Sequence, residues 1–139
     1  IADAEIEMVC NRSAEAANKL RRRLDVSPGN HPLTMAYATA LMKNQQPHIA
    51  EEVLVAQSKR RPNDPGLWYL LAEVQGLAGD ILGLHQSRAE YFILNGDLEQ
   101  ARKQLTYALK LTGSDFHASS RINQRLADVA RMQEQLEEF

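Results

Sequence analysis

Strand-like alternation is hard to find in this chain, and runs of β-branched residues are scarce. That argues against a sheet-based fold. Cysteine occurs once, at Cys10, so an internal disulfide framework and a multi-cysteine zinc site are both excluded. Aromatic residues are only 6%. Long hydrophobic runs are missing too. The longest spans Leu67 to Ala72, far short of the roughly 20 residues that cross a bilayer. Neither charge predominates: 16 Lys and Arg against 18 Asp and Glu leave a net charge of −2 over 139 residues. This excludes a strongly basic nucleic-acid module and a strongly acidic tail. No secretory leader is visible, and the first residue is Ile. The chain therefore reads as a single domain over 1–139 and as a piece of a longer protein, in whose other part any targeting signal is expected.

Ala and Leu dominate what is present, and Gly and Pro fall in clusters at Pro28-Gly29, Pro62 to Gly66, Gly79, Gly96 and Gly113. Between the clusters lie segments of helical length with apolar spacing of three and four. The expected helices are 3–10, 13–25, 32–44, 47–60, 66–78, 82–95, 98–111 and 117–136. Gly79-Asp80 and Asn95-Gly96-Asp97 each read as a helix stop followed by a helix start. Gly accepts the left-handed conformation, and Asp caps the free N–H groups of the next helix. Asp64-Pro65 is a cap followed by Pro in the first turn, and Pro32 and Pro47 fit the same place. Gly113-Ser114-Asp115 repeats the stop-then-cap pattern.

Internal repeats follow from residue pairs 34 positions apart: Ala16 and Ala50, Leu20 and Leu54, Pro28 and Pro62, Leu33 and Leu67, Ala38 and Ala72. Further along, Gly79-Asp80 and Gly96-Asp97 stand 17 apart, half that distance. A two-helix unit with a half-period is the mark of stacked helical hairpins. Each hairpin is too thin to bury its own apolar face, so neighbours stack into one core. The expected fold is all-α, an α-α superhelix of about four stacked antiparallel hairpins.

These residues resemble tetratricopeptide repeats. Trp68-Tyr69-Leu70-Leu71-Ala72 with Gly79-Asp80 is similar to the first helix of that motif. Gly96-Asp97, Ala101, Leu105 and Ala108 resemble its turn and second helix, and Ala50, Leu54 and Pro62 match the second helix of the preceding unit. Ala16, Ala50 and Ala101 are the small residues that permit close helix contact. Gln57 departs from the pattern, standing where Ala is usual, and residues 1–10 form a polar, truncated opening helix. More narrowly, the stretch from Trp68 to Thr112, followed by Arg121 to Val129, resembles the C-terminal repeat domain of BepA-type metallopeptidases. Ala89-Glu90-Tyr91, Asn95-Gly96-Asp97 and Gln104-Leu105 carry most of that likeness.

The resemblance implies a non-catalytic protein-binding domain of a periplasmic zinc protease with chaperone-like character. Its implied partners are outer-membrane β-barrel proteins, the β-barrel assembly machinery and the protease domain of the same protein. Any zinc would sit in that other domain; no cofactor is expected in this chain. The chemistry-bearing residues agree. H-E-x-x-H is absent, and His48-Ile49-Ala50-Glu51-Glu52 begins like the inverted zinc motif but has Glu52 where the second His belongs. His48 and Glu52 are one helical turn apart, a solvated pair rather than a metal site. His31, His85 and His117 show no ligand spacing. Cys10 has no His near it in sequence and reads as an inert thiol. Gly76, Gly79 and Gly83 are helix-end or helix-packing glycines, not a phosphate loop.

Two basic runs, Arg21-Arg22-Arg23 and Lys59-Arg60-Arg61, fall in last turns of helices, where cations suit the negative helix end. Aromatics do not interleave with them, and residues 62–139 carry net charge −4, so nucleic acid is not an expected partner. Steering of acidic partners or contact with anionic lipid headgroups is the weaker alternative. Ile122, Leu126, Val129, Met132 and Leu136 form one stripe of the last helix, which reads as a lid on the last hairpin. In a stacked array the first helix of each hairpin lines the concave face. That frame makes Met35, Thr39, Met42, Tyr69, Glu73 and Tyr107 the expected protein-binding residues. Met adapts to varied surfaces, and Tyr offers area plus a hydrogen bond. They do not match the Lys and Asn clamp of repeats that bind a C-terminal carboxylate. Two other functions fit the same sequence: a cytoplasmic scaffold joining soluble proteins, and a self-association module built on the last helix.

Overall fold

The structure is a computed structural model that describes the backbone of residues 2–138 and the side chains of residues 12–138. Among the described residues there are seven α-helices and no strand. They form two compact units, one ending at Pro62 and one beginning at Asn63.

The first unit holds α1 (Ala2–Val26), α2 (His31–Lys43) and α3 (Pro47–Arg60). The break expected after residue 10 is absent, because no Gly or Pro interrupts the chain there, and one long helix replaces two. The Cys10 side chain lies outside the described residues. Asn30 caps α2 by accepting the Leu33 N–H at 3.1 Å, and Pro32 sits in its first turn. The α2–α3 turn has no glycine. Gln45 takes the left-handed place, with φ 60°, and the Gln46 N–H closes back on the Leu41 carbonyl at 2.9 Å. Helix α1 packs on α2 and α2 on α3, around fully buried Ala38, Ala50 and Leu54. The expected small contact at Ala16 falls one residue later. Ala16 is exposed and Ala17 is buried. Gln57, the departure from the repeat pattern, is buried, and its Nε2 meets His31 Nδ1 at 2.9 Å. A buried amide is tolerated here because it has a partner.

The second unit holds α4 (Pro65–Ala78), α5 (Ile81–Leu94), α6 (Leu98–Lys110) and α7 (Phe116–Glu137), each packed on the next. The half-period of 17 is now intelligible: α5 rests on α6 as extensively as on α4. All four helices start on the expected aspartates. Asp64 accepts from Gly66 N–H at 3.0 Å, Asp80 from Gly83 at 2.9 Å, Asp97 from Gln100 at 3.4 Å and Asp115 from Ala118 at 3.1 Å. Gly79 and Gly96 end α4 and the turn after α5 at φ 81° and 79°, a conformation that Gly adopts without penalty. The core joins Ala89, Leu98, Ala101, Leu105, Ile122 and Val129. Each of its fully buried large side chains contributes about 1.5–3 kcal/mol. Along α7, Ile122 and Val129 are buried, while Leu126 and Met132 pack at the core's edge. The stripe therefore covers the last hairpin, except that Leu136 is 61% exposed.

Candidate functional site

Helical spacing brings Tyr69 and Glu73 onto one face of α4, one turn apart. On α5, Leu84, Arg88 and Tyr91 fall at steps of four and three. The two faces meet in a groove of about 320 Å³ lined by Tyr69, Ala72, Glu73, Leu84, Arg88, Tyr91 and Phe92. The Tyr69 and Tyr91 rings are tilted at 56° with centroids 5.5 Å apart, and Tyr91 meets Phe92 edge-on at 5.7 Å. Such pairs hold each other at the favoured offset geometry. Tyr69 nevertheless stays 62% exposed, so most of its ring is free for a partner. Glu73 and Arg88 are exposed on the rim, and neither joins an ion pair among the described residues. The groove thus offers aromatic area between two uncommitted charges of opposite sign.

Buried polar contacts hold the α4–α5 frame. Ser87 Oγ donates to Gln75 Oε1 at 2.6 Å, with both residues buried. Gly83 is buried at this crossing, and a Cβ there would displace the Asp80 carboxylate and the Gln75 amide. Arg125 on α7 donates from Nε and Nη2 to the two Glu90 oxygens, each at 2.8 Å, and so fixes α5 next to Tyr91.

The six expected binding residues are distributed as follows. Tyr69 and Glu73 share the groove. Tyr107 lies on α6, 48% exposed, with its ring 5.5 Å from that of His85. His85 Nδ1 is 2.7 Å from Gln104 Oε1, a contact that orients the imidazole beside Tyr107. Met35, Thr39 and Met42 are half-buried on α2 in the first unit, and Thr39 Oγ1 donates to the Met35 carbonyl at 2.9 Å. Sequence reasoning passed over Leu84 and Arg88 as groove residues. Their spacing with Tyr91 on one helical face was the available signal. His48 and Glu52 share an open face of α3 with Glu51, Val55, Ala56 and Lys59. Among the described residues, no three His, Cys, Asp or Glu side chains converge. No described helix is long and apolar enough to cross a membrane.

The successive antiparallel helices are consistent with a tetratricopeptide-type hairpin superhelix, and residues 11–74 match the family model described as tetratricopeptide repeat. Nearly the whole chain is similar to proteins named beta-barrel assembly-enhancing protease. It is 28% identical over 138 residues to the one from Yersinia pestis and 25% identical over 135 residues to the one from Escherichia coli strain K12. Each alignment covers 97% of this chain and 28% of the relative, so the chain spans little more than a quarter of their length.

Proposed function

We propose that this chain is the partner-binding repeat domain of a periplasmic protease with chaperone-like character, and that it engages outer-membrane β-barrel proteins and their assembly machinery. The observation that carries this reading is the open aromatic groove at Tyr69 and Tyr91. It belongs to a chain that aligns almost end to end with part of the beta-barrel assembly-enhancing proteases. Binding falls to Tyr69, Glu73 and Tyr107 of the second unit and to Met35, Thr39 and Met42 of the first. The domain holds a client near a zinc protease domain elsewhere in the protein and raises its effective concentration rather than doing chemistry. An affinity on the order of micromolar, about −8 kcal/mol, suits such transient capture.

Site-specific photo-crosslinking in cells tests this, with probes at Met35, Tyr69, Phe92 and Tyr107 of the full-length protein. Adducts to outer-membrane barrel proteins or to the assembly machinery support it. Adducts to cytoplasmic proteins alone reject it in favour of a soluble scaffold.

A further inference from the structure

The two arginine-rich runs each have a sufficient local reason at a helix end. That reason does not explain why they converge. Helices α1, α2 and α3 are joined by short turns and pack in succession, so the ends of α1 and α3 reach the same end of the first unit. Arg60, at the end of α3, lies directly against Gly29 in the α1–α2 turn. The turn has φ 80° there, and a Cβ would collide with the guanidinium. Beside this turn, Arg22 and Arg23 line a groove with Val26, Ser27, Asn30, Pro32 and Leu33.

Three features make this groove more than a solvated helix end. Arg22 and Arg23 in the lining, and Arg60 at the adjoining Gly29 turn, are exposed and form no ion pair among the described residues. Between Glu15 and Glu51 the only acidic residue is Asp25, so the local field is positive. Val26 is 84% exposed and lines the groove together with Pro32 and Leu33.

We propose that this groove binds an acidic peptide segment of a partner protein, one that carries an apolar anchor residue between its carboxylates. Guanidinium forks take carboxylates in pairs, and Val26 with Leu33 receives the anchor. The lining has no aromatic ring on which a base could stack, which disfavours single-stranded nucleic acid. Its lining is shallow and largely apolar around Val26, Pro32 and Leu33, which suits an inserted side chain better than an array of charged lipid headgroups. The site lies in the first unit and is independent of the Tyr69 groove.

Fluorescence anisotropy of the full chain with a labelled Glu-Glu-Leu-Glu-Glu peptide tests the proposal. Micromolar binding that weakens at least tenfold between low and 0.3 M salt is expected. Arg22→Gln with Arg23→Gln should weaken it at least tenfold. Val26→Ser should weaken it at least threefold, and circular dichroism should show helicity unchanged for these exposed sites. Equal affinity for Glu-Glu-Gly-Glu-Glu together with no effect of Val26→Ser would overturn the proposal, leaving charge alone. Binding to phosphatidylglycerol vesicles without measurable peptide affinity would overturn it in favour of a membrane surface.

Discussion

Glu90 and Arg125, 35 residues apart on α5 and α7, face each other through two parallel hydrogen bonds of 2.8 Å. The Glu90 hydrogen bonds hold the Arg125 guanidinium above the ordinary arginine value. Both side chains are more than two-thirds shielded, and Arg125 also reaches Asp128 at 3.1 Å. A planar, bidentate pair of this kind is worth more than a surface ion pair. Glu90→Gln should cost about 1–2 kcal/mol. Urea unfolding followed through Trp68, the single tryptophan, checks it. A double-mutant cycle with Arg125→Met should return a coupling of about 1 kcal/mol.

Acid should loosen the same corner. Hydrogen bonding from Arg125 holds the Asp128 carboxyl below its usual value, and Gln124 and Arg131 add to the effect. Arg102 lowers Glu99 in the same way. A depressed carboxyl stabilises the fold above its unfolded value, here about 4, and loses that contribution as pH falls through the folded value. The melting temperature should therefore hold from pH 6 to 5 and fall from pH 4 to 2.5. Asp128→Asn should flatten that fall. An unchanged slope in the variant would show that the carboxylate is not coupled to folding.

Small residues separate packing from repeat pattern. Ala50 and Ala101 are fully buried, whereas Ala16 is exposed. Ala50→Leu or Ala101→Leu should destabilise by about 1–3 kcal/mol through overpacking. Ala16→Leu should stay within about 0.5 kcal/mol. Thermal melts of the three variants give the comparison.

The α2–α3 turn offers a stabilising change. Gln45 occupies a left-handed conformation at φ 60°, which costs an L-residue about 1 kcal/mol. Gln45→Gly should raise stability by about 0.5 kcal/mol once its larger unfolded entropy is counted. A β-branched Gln45→Val should lower it by about 1–2 kcal/mol. Melting temperatures in the order Gly, Gln, Val are the expected result.

The fold was largely legible because its punctuation is local. Asp64, Asp80, Asp97 and Asp115 each cap within three residues, and Gly79 and Gly96 need only their own backbone. Periodicity likewise marked Ile122 and Val129 as buried. What escaped depends on neighbours distant in sequence. Gln57 departs from the repeat pattern for a reason 26 residues away, the His31 ring beside its amide. Ala16 and Ala17 differ by a 100° rotation about α1, which a lag of 34 does not resolve. Tyr69 stood out by type, but the groove around it needed α5 to bring Arg88 and Tyr91 across, and nothing in Leu84 or Arg88 alone points there. The basic runs were visible as charge, whereas their convergence on Gly29 is a product of hairpin geometry.

The most direct measurement is the affinity of the purified chain for an unfolded outer-membrane β-barrel protein, before and after Tyr69→Ala with Tyr91→Ala. The expected result is at least a tenfold loss, with His48→Ala on the open face of α3 leaving affinity unchanged. Equal affinity of the folded double variant and the original chain would contradict the aromatic groove as the place where this domain meets its partners.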